Sequence, residues 1–353
     1  MKKLLVFFLA LVTLMPLTAI AQKENKESRI KRELNWAKDY FDSFVSKKLD
    51  TAYITRPKNG WLASVTTNFA SIDADITGKN IPIYGNVAIN AKSALSNYLG
   101  FAFGYRGLSL KYSLDIFNGY SHDLTLARRG HSWGVEFKRH STDGMHGTLS
   151  SSKIGNSFQI NKGDVNVATT IVDGYVVFNP KKFSLPAVLT KTFVQRRSAG
   201  SLIAFATYQH SKMTTDNAQL MQRLGGIKKL DFNQVAVGLG YGYNFAADNG
   251  NLLIHASAIP MAVIHNNNFA TIDFSTTLTD GTLYKTDIIK KLEIKHKVSF
   301  TGLARISAHY TFKDRYLVGV SGLINDIRFK STSGLSVQLD DWLVSATFGV
   351  RFK

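Results

Sequence analysis

The chain is built largely from segments in which apolar residues alternate with small or polar ones. The last segment, residues 342–353, reads W-L-V-S-A-T-F-G-V-R-F-K. Successive side chains on a strand point to opposite faces, so the alternation predicts one apolar face and one mostly polar face. Roughly ten such residues are enough for a tilted strand to cross a bilayer. The apolar face carries Trp342, Phe348 and Phe352, and we predict that this strand closes a barrel.

The same alternation recurs from residue 61 onward. Residues 99–105 and 108–116 continue it on either side of Arg106 and Gly107, as expected for a tight hairpin, and residues 234–245 are the longest clean example. The charged residues on the polar faces are Lys111, Asp115, Glu136, Lys138 and Arg305. A barrel lumen accepts such charges because opposite signs can pair there, whereas a lipid-facing surface does not.

The predicted fold is therefore all-β, an antiparallel transmembrane β-barrel with one N-terminal amphipathic helix. About 12 strands are expected, with 10 or 14 as alternatives, since bacterial single-chain barrels take even numbers. A soluble β-sandwich is the less favoured fold, because one core would have to bury the apolar faces of all these strands.

The N-terminus predicts export. Residues 1–21 combine Lys2 and Lys3, an apolar run over residues 4–14 and an A-x-A site at residues 19–21, which together are typical of a cleaved signal peptide. The chain contains no cysteine, so disulfides are excluded and the stability must come from the sheet.

Residues 22–55 are predicted to form a periplasmic helical segment. Apolar residues recur there at helical spacing between lysines and glutamates, at Ile30, Leu34, Ala37, Phe41 and Phe44. We expect this helix to pack on the barrel mouth or plug it, or alternatively to lie on the lipid surface. The barrel itself is assigned to residues 56–353.

The formal net charge of +18 has two interpretations. A basic lumen or rim would attract anions, while a solvated basic surface would lie beside anionic lipid head groups. Two long polar connections, residues 212–231 and 265–291, are predicted to be extracellular loops that either bind a ligand or shield the pore.

The middle of the chain, residues 175–202, contains F-N, then K-K-F-S-L-P-A, then Q-R-R-S-A-G-S. This pattern resembles a Bacteroidota family of exported proteins known only as a domain of unknown function (family 4421). Residues 50–54 (D-T-A-Y-I) and 240–244 (G-Y-G-Y-N) are similar to other parts of that family. Leu185 and Pro180 depart from its usual residues. The resemblance implies an outer-membrane-type barrel and no established activity.

The same stretch is rich in cations and holds no carboxylate. We identify Lys181, Lys182, Arg196 and Arg197 as a candidate basic loop that folds over or into the barrel, because Pro180 and Pro186 interrupt strand pairing. Such a loop would select anions or contact lipid A phosphate. Alternatively, its arginines would pair with lumen carboxylates, such as Asp115 or Glu136, and plug the barrel.

Catalytic, cofactor-binding and metal-binding residues are not assigned. The nine histidines form no helical metal motif, and His140 with His146 is a weak candidate. Two Ser–His pairs, Ser198 with His210 and Ser257 with His255, are conceivable in a hydrolase.

The predicted function is an outer-membrane barrel that acts as a narrow channel or as a surface-exposed binding or structural barrel. The alternative is an outer-membrane enzyme that modifies lipid or lipopolysaccharide. The expected partners are outer-membrane lipid, lipopolysaccharide, the barrel assembly machinery and an unidentified small solute or surface ligand. Nucleic acid is not expected as a partner of an exported chain.

Overall fold

The computed structural model describes most of the chain after residue 48. The described ranges are residues 49–81, 85–93, 96–116, 119, 121–152, 157–223, 227–273, 276–277, 283–284, 289–294, 299–330 and 335–352. The predicted signal peptide and the predicted amphipathic helix lie outside the described residues. Within these ranges, no helix is long and apolar enough to cross a membrane.

The described residues form strands joined by two short helices and one 3-10 turn. The strands are β1 (Ile54–Thr55), β2 (Trp61–Ile81), β3 (Gly85–Ser93), β4 (Ser96–Tyr105), β5 (Leu108–Asp115), β6 (Ser121–Arg129), β7 (Trp133–Thr142), β8 (Met145–Ser151), β9 (Phe158–Ile160), β10 (Asn166–Val177), β11 (Val194–Gln195), β12 (Ala199–Thr214), β13 (Ile227–Ala247), β14 (Leu252–Asp273), β15 (Thr276–Thr277), β16 (Leu283–Tyr284), β17 (Ile289–Ile294), β18 (Phe300–Phe312), β19 (Tyr316–Lys330) and β20 (Leu335–Phe352). The helices are α1 (Leu185–Leu189) and α2 (Ala218–Arg223), and the 3-10 turn is Asp248–Gly250.

Twelve of these strands form a closed antiparallel barrel, which confirms the predicted fold. Its strands follow the order β2, β4, β5, β6, β7, β10, β12, β13, β14, β18, β19 and β20. Strand β20 pairs with β2 along its whole length, from Phe352 opposite Trp61 to Leu335 opposite Gly78. The predicted terminal strand therefore forms the seam that closes the barrel.

The two faces of each barrel strand lie in different environments. Large apolar side chains cover the outside, where Phe101, Phe103 and Leu239 are each more than half exposed. The inside carries small and polar residues, such as Thr66, Ser113 and Ser345, which are buried. A closed sheet has no unpaired edge, and an apolar exterior is what the hydrocarbon core of a bilayer requires. The barrel is therefore built as a transmembrane barrel.

The two ends of the barrel differ. At the short-turn end, the connections are brief, for example residues 106–107 and 130–132. The opposite end, called the far end here, carries extra strands: β3 pairs with the outer part of β2, and β8 and β9 continue that sheet. An apolar cluster packs beneath these strands and includes Ala74, Ala91, Met145, Leu149, Ile160, Val165 and the α2 residue Leu220. We call this far-end cluster the cap.

The predicted loops at residues 212–231 and 265–291 include residues that the structure places in paired strands. Strands β12 and β13 stay paired out to Thr214 and Lys229, and β14 remains paired to Asp273. Polar side chains do not end a strand that projects beyond the bilayer, because its backbone groups still bond to the neighbouring strand. The polar composition of these residues therefore indicates where the strands leave the bilayer, and not where the strand pairing ends.

Candidate functional site

Residues 178–198 leave the barrel wall between β10 and β12 and fold into the lumen at the short-turn end. We call this segment the plug. Its helix α1 begins after Ser184, whose hydroxyl accepts a hydrogen bond from the Ala187 amide at 3.2 Å. Pro186 occupies the first turn, where a missing N–H is tolerated. The α1 residues Leu185, Pro186, Ala187 and Val188 are all buried.

The plug is fixed first by apolar packing. Phe183 is fully buried in a cluster with Tyr175, Ile203 and Ile259 of the barrel wall. Gly242 on β13 makes room for it, because a Cβ at that position would lie 3.1 Å from the Phe183 ring. The missing side chain of Gly242 therefore leaves space in the inner wall for the plug.

Gln195 holds the plug by hydrogen bonds from both atoms of its side-chain amide. Its Oε1 accepts from the Ser184 amide at 2.9 Å and from Asn244 Nδ2 at 3.2 Å. Its Nε2 donates to the carbonyls of Lys182 at 2.6 Å and Arg197 at 2.8 Å. Gln195 thus ties both arms of the plug to each other and to the barrel wall.

A second set of contacts fixes the other side of the plug. The Gly107 amide donates to Thr192 Oγ1 at 2.9 Å, and Arg351 Nη2 donates to the Lys191 carbonyl at 3.0 Å. The buried Phe193 ring packs edge-on against His131, with ring centroids 4.3 Å apart. Burial, with Arg56 nearby, lowers the pKa of His131 to about 4, so this contact is neutral at neutral pH.

The four cations of the predicted basic loop lie on the outward side of the plug. Lys181, Lys182, Arg196 and Arg197 are exposed, and Lys182 and Arg197 lie over the Tyr53 ring at 5.1 and 5.9 Å. The segment itself folds inward, but its apolar and amide side chains occupy the lumen. Charges stay in water because burying them without a partner is costly.

The arginines of the loop also do not pair with Glu136. That carboxylate forms ion pairs with Arg129 and with Lys138, whose Nζ is 2.8 Å away, and Lys138 also reaches Asp173 at 3.0 Å. These side chains form a charged belt on the inner face of three neighbouring strands, β6, β7 and β10. Glu136 and Lys138 were predicted as lumen charges from the alternation, whereas Arg129 and Asp173 were not.

A cavity of about 220 Å³ lies between this belt and the plug. We call it the lower cavity. Its cationic lining residues are Lys111, Arg129, Lys138, Lys191 and Arg305. Burial, together with the neighbouring cations Lys111, Arg129 and Arg305, lowers the pKa of Lys191 to about 8.

A second cavity of about 260 Å³, the upper cavity, lies on the far-end side of the belt. One side is polar and includes Asp123, Lys138 and His140, with His140 Nδ1 bonded to Asp123 Oδ1 at 2.5 Å. The other side is apolar and is formed by Phe205, Phe232, Met261, Leu303, Leu323 and Leu343. Lys111 and Lys138 line both cavities, so the two spaces adjoin at the belt.

One of the two predicted Ser–His pairs has hydrogen-bond geometry. His255 Nε2 is 3.0 Å from Ser257 Oγ, and its Nδ1 is 2.8 Å from Asn244 Oδ1. His255 and Asn244 are almost completely buried, and neither His255 nor Ser257 lines the upper or the lower cavity. Ser198 instead bonds to the backbone of Ala246, at 3.0 Å to its amide.

The described residues contain no group of three or more potential metal ligands. His140 faces Asp123, while His146 is exposed on β8. These two histidines therefore lie on different strands and do not form a site together.

Comparisons with known proteins add the following. The family described as "Domain of unknown function (DUF4421)" matches residues 48–352, which confirms the family resemblance. No curated protein matches the chain. The outer membrane protease OmpT from Escherichia coli is a similar solved structure, with 8% identity and a TM-score of 0.39 over 84% of this chain and 97% of that chain.

Two further solved structures are similar at a comparable level. The translocator domain of the autotransporter NalP from Neisseria meningitidis has 10% identity and a TM-score of 0.36, covering 92% of this chain and 98% of that chain. The toluene transporter TodX from Pseudomonas putida has 8% identity and a TM-score of 0.32, covering 88% of this chain and 93% of that chain.

Proposed function

We propose that this chain, which belongs to the family described as "Domain of unknown function (DUF4421)", is a gated, narrow outer-membrane barrel for small anionic solutes. The plug is its gate. The observation that carries the proposal is the plug itself, which lies inside the lumen and leaves a cation-lined cavity behind it. An open general porin would need a continuous aqueous channel along the barrel axis.

The direction of gating follows from the two ends. Outer-membrane barrels have short periplasmic turns and longer extracellular connections. The plug enters at the short-turn end, so it closes the periplasmic exit, and the upper cavity faces the outside. A solute would enter beside the cap, reach the charged belt and pass only when the plug moves.

Conductance in planar bilayers tests this proposal. We expect the wild-type barrel to be closed, and Gln195→Ala to produce small anion-selective openings, because the substitution removes three hydrogen bonds within the plug and one to Asn244 of the barrel wall. Gln159→Ala, on the exposed face of β9, is the matched control and should remain closed. A Gln195→Ala barrel that is folded, as judged by its heat-modifiable gel mobility, and still closed would overturn the gate.

A lipid- or lipopolysaccharide-modifying hydrolase is the second candidate, because the Ser257–His255–Asn244 chain matches the hydrogen-bond order of a catalytic triad. The same chain also continues into the plug, since Asn244 Nδ2 donates to the Ser184 carbonyl at 3.0 Å. Ser257→Ala separates the two roles. If the protein is a hydrolase, the wild type hydrolyses an ester and Ser257→Ala does not. If these hydrogen bonds are only structural, neither the wild type nor Ser257→Ala shows measurable ester hydrolysis.

A further inference from the structure

The lower cavity has more positive charge than its own carboxylates neutralise. Five cationic side chains line it, against Glu136 on its wall and Asp173, which pairs with Lys138 from the neighbouring cavity. Five positive charges against two negative charges leave a formal excess of three. Charges removed from bulk water are costly unless they are paired.

The excess can be assigned to particular residues. Glu136 pairs with Arg129 and Lys138, and Asp173 pairs with Lys138. Among the described residues, Lys111, Lys191 and Arg305 form no ion pair. Lys111 Nζ has only a weak hydrogen bond of 3.4 Å to Asn68 Oδ1.

Unused hydrogen-bonding atoms lie at the same place. Within the described part of the chain, Ser307 Oγ and Arg129 Nε are buried and have no hydrogen-bond partner. Both residues line the lower cavity. Buried polar groups in native proteins are normally satisfied, so orphan groups that cluster around an excess of positive charge indicate a missing acceptor.

The side chain that completes this ring of cations comes from the plug. Lys191 adopts a left-handed backbone conformation with φ of 57°, its amide donates to the Pro186 carbonyl at 3.0 Å, and Arg351 holds its carbonyl. Its position is thus fixed by the plug fold. Arg305 comes from β18 and Lys111 from β5, so the three cations converge from three separate elements.

We propose that the lower cavity is a binding site for a small oxyanion with two or more negative charges, held between Lys191 of the plug and Arg305 and Lys111 of the barrel wall. The inference rests on the proposed function in one respect, since the docked plug supplies one wall of the site. Its bound oxyanion bridges plug and barrel and so favours the closed gate. The small cavity and its polar, cationic lining suit a phosphate group, whereas an apolar body would be placed in the upper cavity.

Calorimetric titration of the purified barrel in an uncharged detergent tests the site, with inorganic phosphate and sulfate as probes and chloride as the monovalent comparison. We expect saturable binding of phosphate and sulfate and much weaker binding of chloride. Arg305→Gln and Lys191→Gln should each lower the affinity for phosphate by about tenfold or more, because each removes a charged hydrogen-bond donor from a buried anion.

The exposed cations of the plug provide matched controls. Lys181→Gln and Arg196→Gln each remove one positive charge from the plug at an exposed position outside the cavity. Both variants should therefore bind phosphate with unchanged affinity. Equal losses in all four variants would mean nonspecific attraction and would overturn the site, as would an absence of saturable binding to the wild type. Each variant is first checked for folding by its heat-modifiable gel mobility. Any variant that does not fold is replaced by Ser307→Ala, which we expect to lower the affinity for phosphate as well.

Two further arms complete the test. Glycerol phosphate in place of inorganic phosphate distinguishes a phosphomonoester from the free ion, since equal affinities place only the phosphate group in the cavity. The conductance of Gln195→Ala, measured without phosphate, reports on the gate alone. If the barrel opens on this substitution but the wild type binds no oxyanion, the oxyanion site is wrong and the proposed gate stands. If the wild type binds an oxyanion but Gln195→Ala stays closed, the site stands and the gate is wrong.

Discussion

Lys191 is the residue through which pH should reach the proposed anion site. Burial and neighbouring cations lower its pKa from 10.5 to about 8. The charged and titratable groups that face it are Lys111 on β5, Arg129 on β6, Arg305 and His309 on β18, and Arg351 on β20. Below pH 8 Lys191 is protonated and can bind an anion; above it, one of the three unpaired cations is lost.

The affinity for sulfate is therefore expected to fall as pH rises through about 8, by up to about tenfold per pH unit beyond the pKa. Sulfate is the probe because its own charge does not change in this range. Lys191→Gln should bind weakly without that pH step, and Lys181→Gln should retain it. Without an anion, the unfolded chain binds more protons than the folded one between pH 8 and 10.5, so the free energy of unfolding should rise with pH there.

At the scale of single residues, the sequence identified the cation-rich stretch but not which of its lysines is used. Lys181, Lys182 and Lys191 have the same chemistry, and only the docked plug turns Lys191 inward. Arg305 lies more than a hundred residues further along the chain, and its convergence with Lys191 depends on barrel closure. Gly242 is a usable signal, because a glycine inside a strand often marks a place where another segment approaches closely.

The plug is the element that decides whether the lumen is open. Since the natural chain has no cysteine, single substitutions report on it directly. Ala187 is fully buried in α1, whereas Lys181 is exposed at the start of the plug. We expect Ala187→Cys to react with a water-soluble maleimide at least about tenfold more slowly than Lys181→Cys, because reaction requires local opening.

Introducing Gln195→Glu into both cysteine variants completes the measurement. A carboxylate cannot donate to the carbonyls of Lys182 and Arg197, so the plug should open more often. The labelling of Ala187→Cys should then accelerate while that of Lys181→Cys stays constant. Equal rates for the two cysteines in the parent barrel would show that the plug is not docked.

The barrel strands, in contrast, follow from local alternation. Leu239 on β13 is 53% exposed on the outer face, while Thr207 on the adjacent β12 lines the upper cavity. Leu239→Lys should destabilise the barrel in lipid by up to about 2–4 kcal/mol, since a cation that faces the hydrocarbon core is poorly tolerated. Thr207→Lys places the same charge in the lumen and should cost clearly less.

Urea unfolding in lipid vesicles measures both variants. Similar losses of stability would contradict the assignment of the two faces. The faces were predictable because period-two alternation is a local property that needs no knowledge of the fold. The cap was not predictable in this way, because the pairing of β3 with β8 joins segments that lie far apart in the sequence.

At the scale of the whole molecule, strand number and closure depend on each other. About twelve strands were expected from the number of alternating segments, and the barrel closes with twelve because β20 pairs with β2 in register. Closure could be expected from the absence of cysteine and from the aromatic terminal strand, but the register could not. It is fixed only when every intervening strand has taken its place.

A pair of cysteines across the seam tests this register. Thr67 on β2 lies opposite Ala346 on β20, and both face outward. Residues directly opposite each other on adjacent strands have Cβ atoms roughly 4.5–5.5 Å apart, close enough for a disulfide after a small adjustment. We expect Thr67→Cys with Ala346→Cys to cross-link under mild oxidation and to change the mobility of the boiled, non-reduced chain.

The control uses the next strand. Val320 on β19 is the partner of Ala346 on its other side, so Thr67 and Val320 are two strand spacings apart, about 10 Å. Thr67→Cys with Val320→Cys should therefore remain unlinked under the same conditions. If this second pair also formed the bond, or if the first did not, β20 would not be the strand beside β2. The barrel would then close with a different strand order, and the lumen that holds the plug and the oxyanion site would have a different wall.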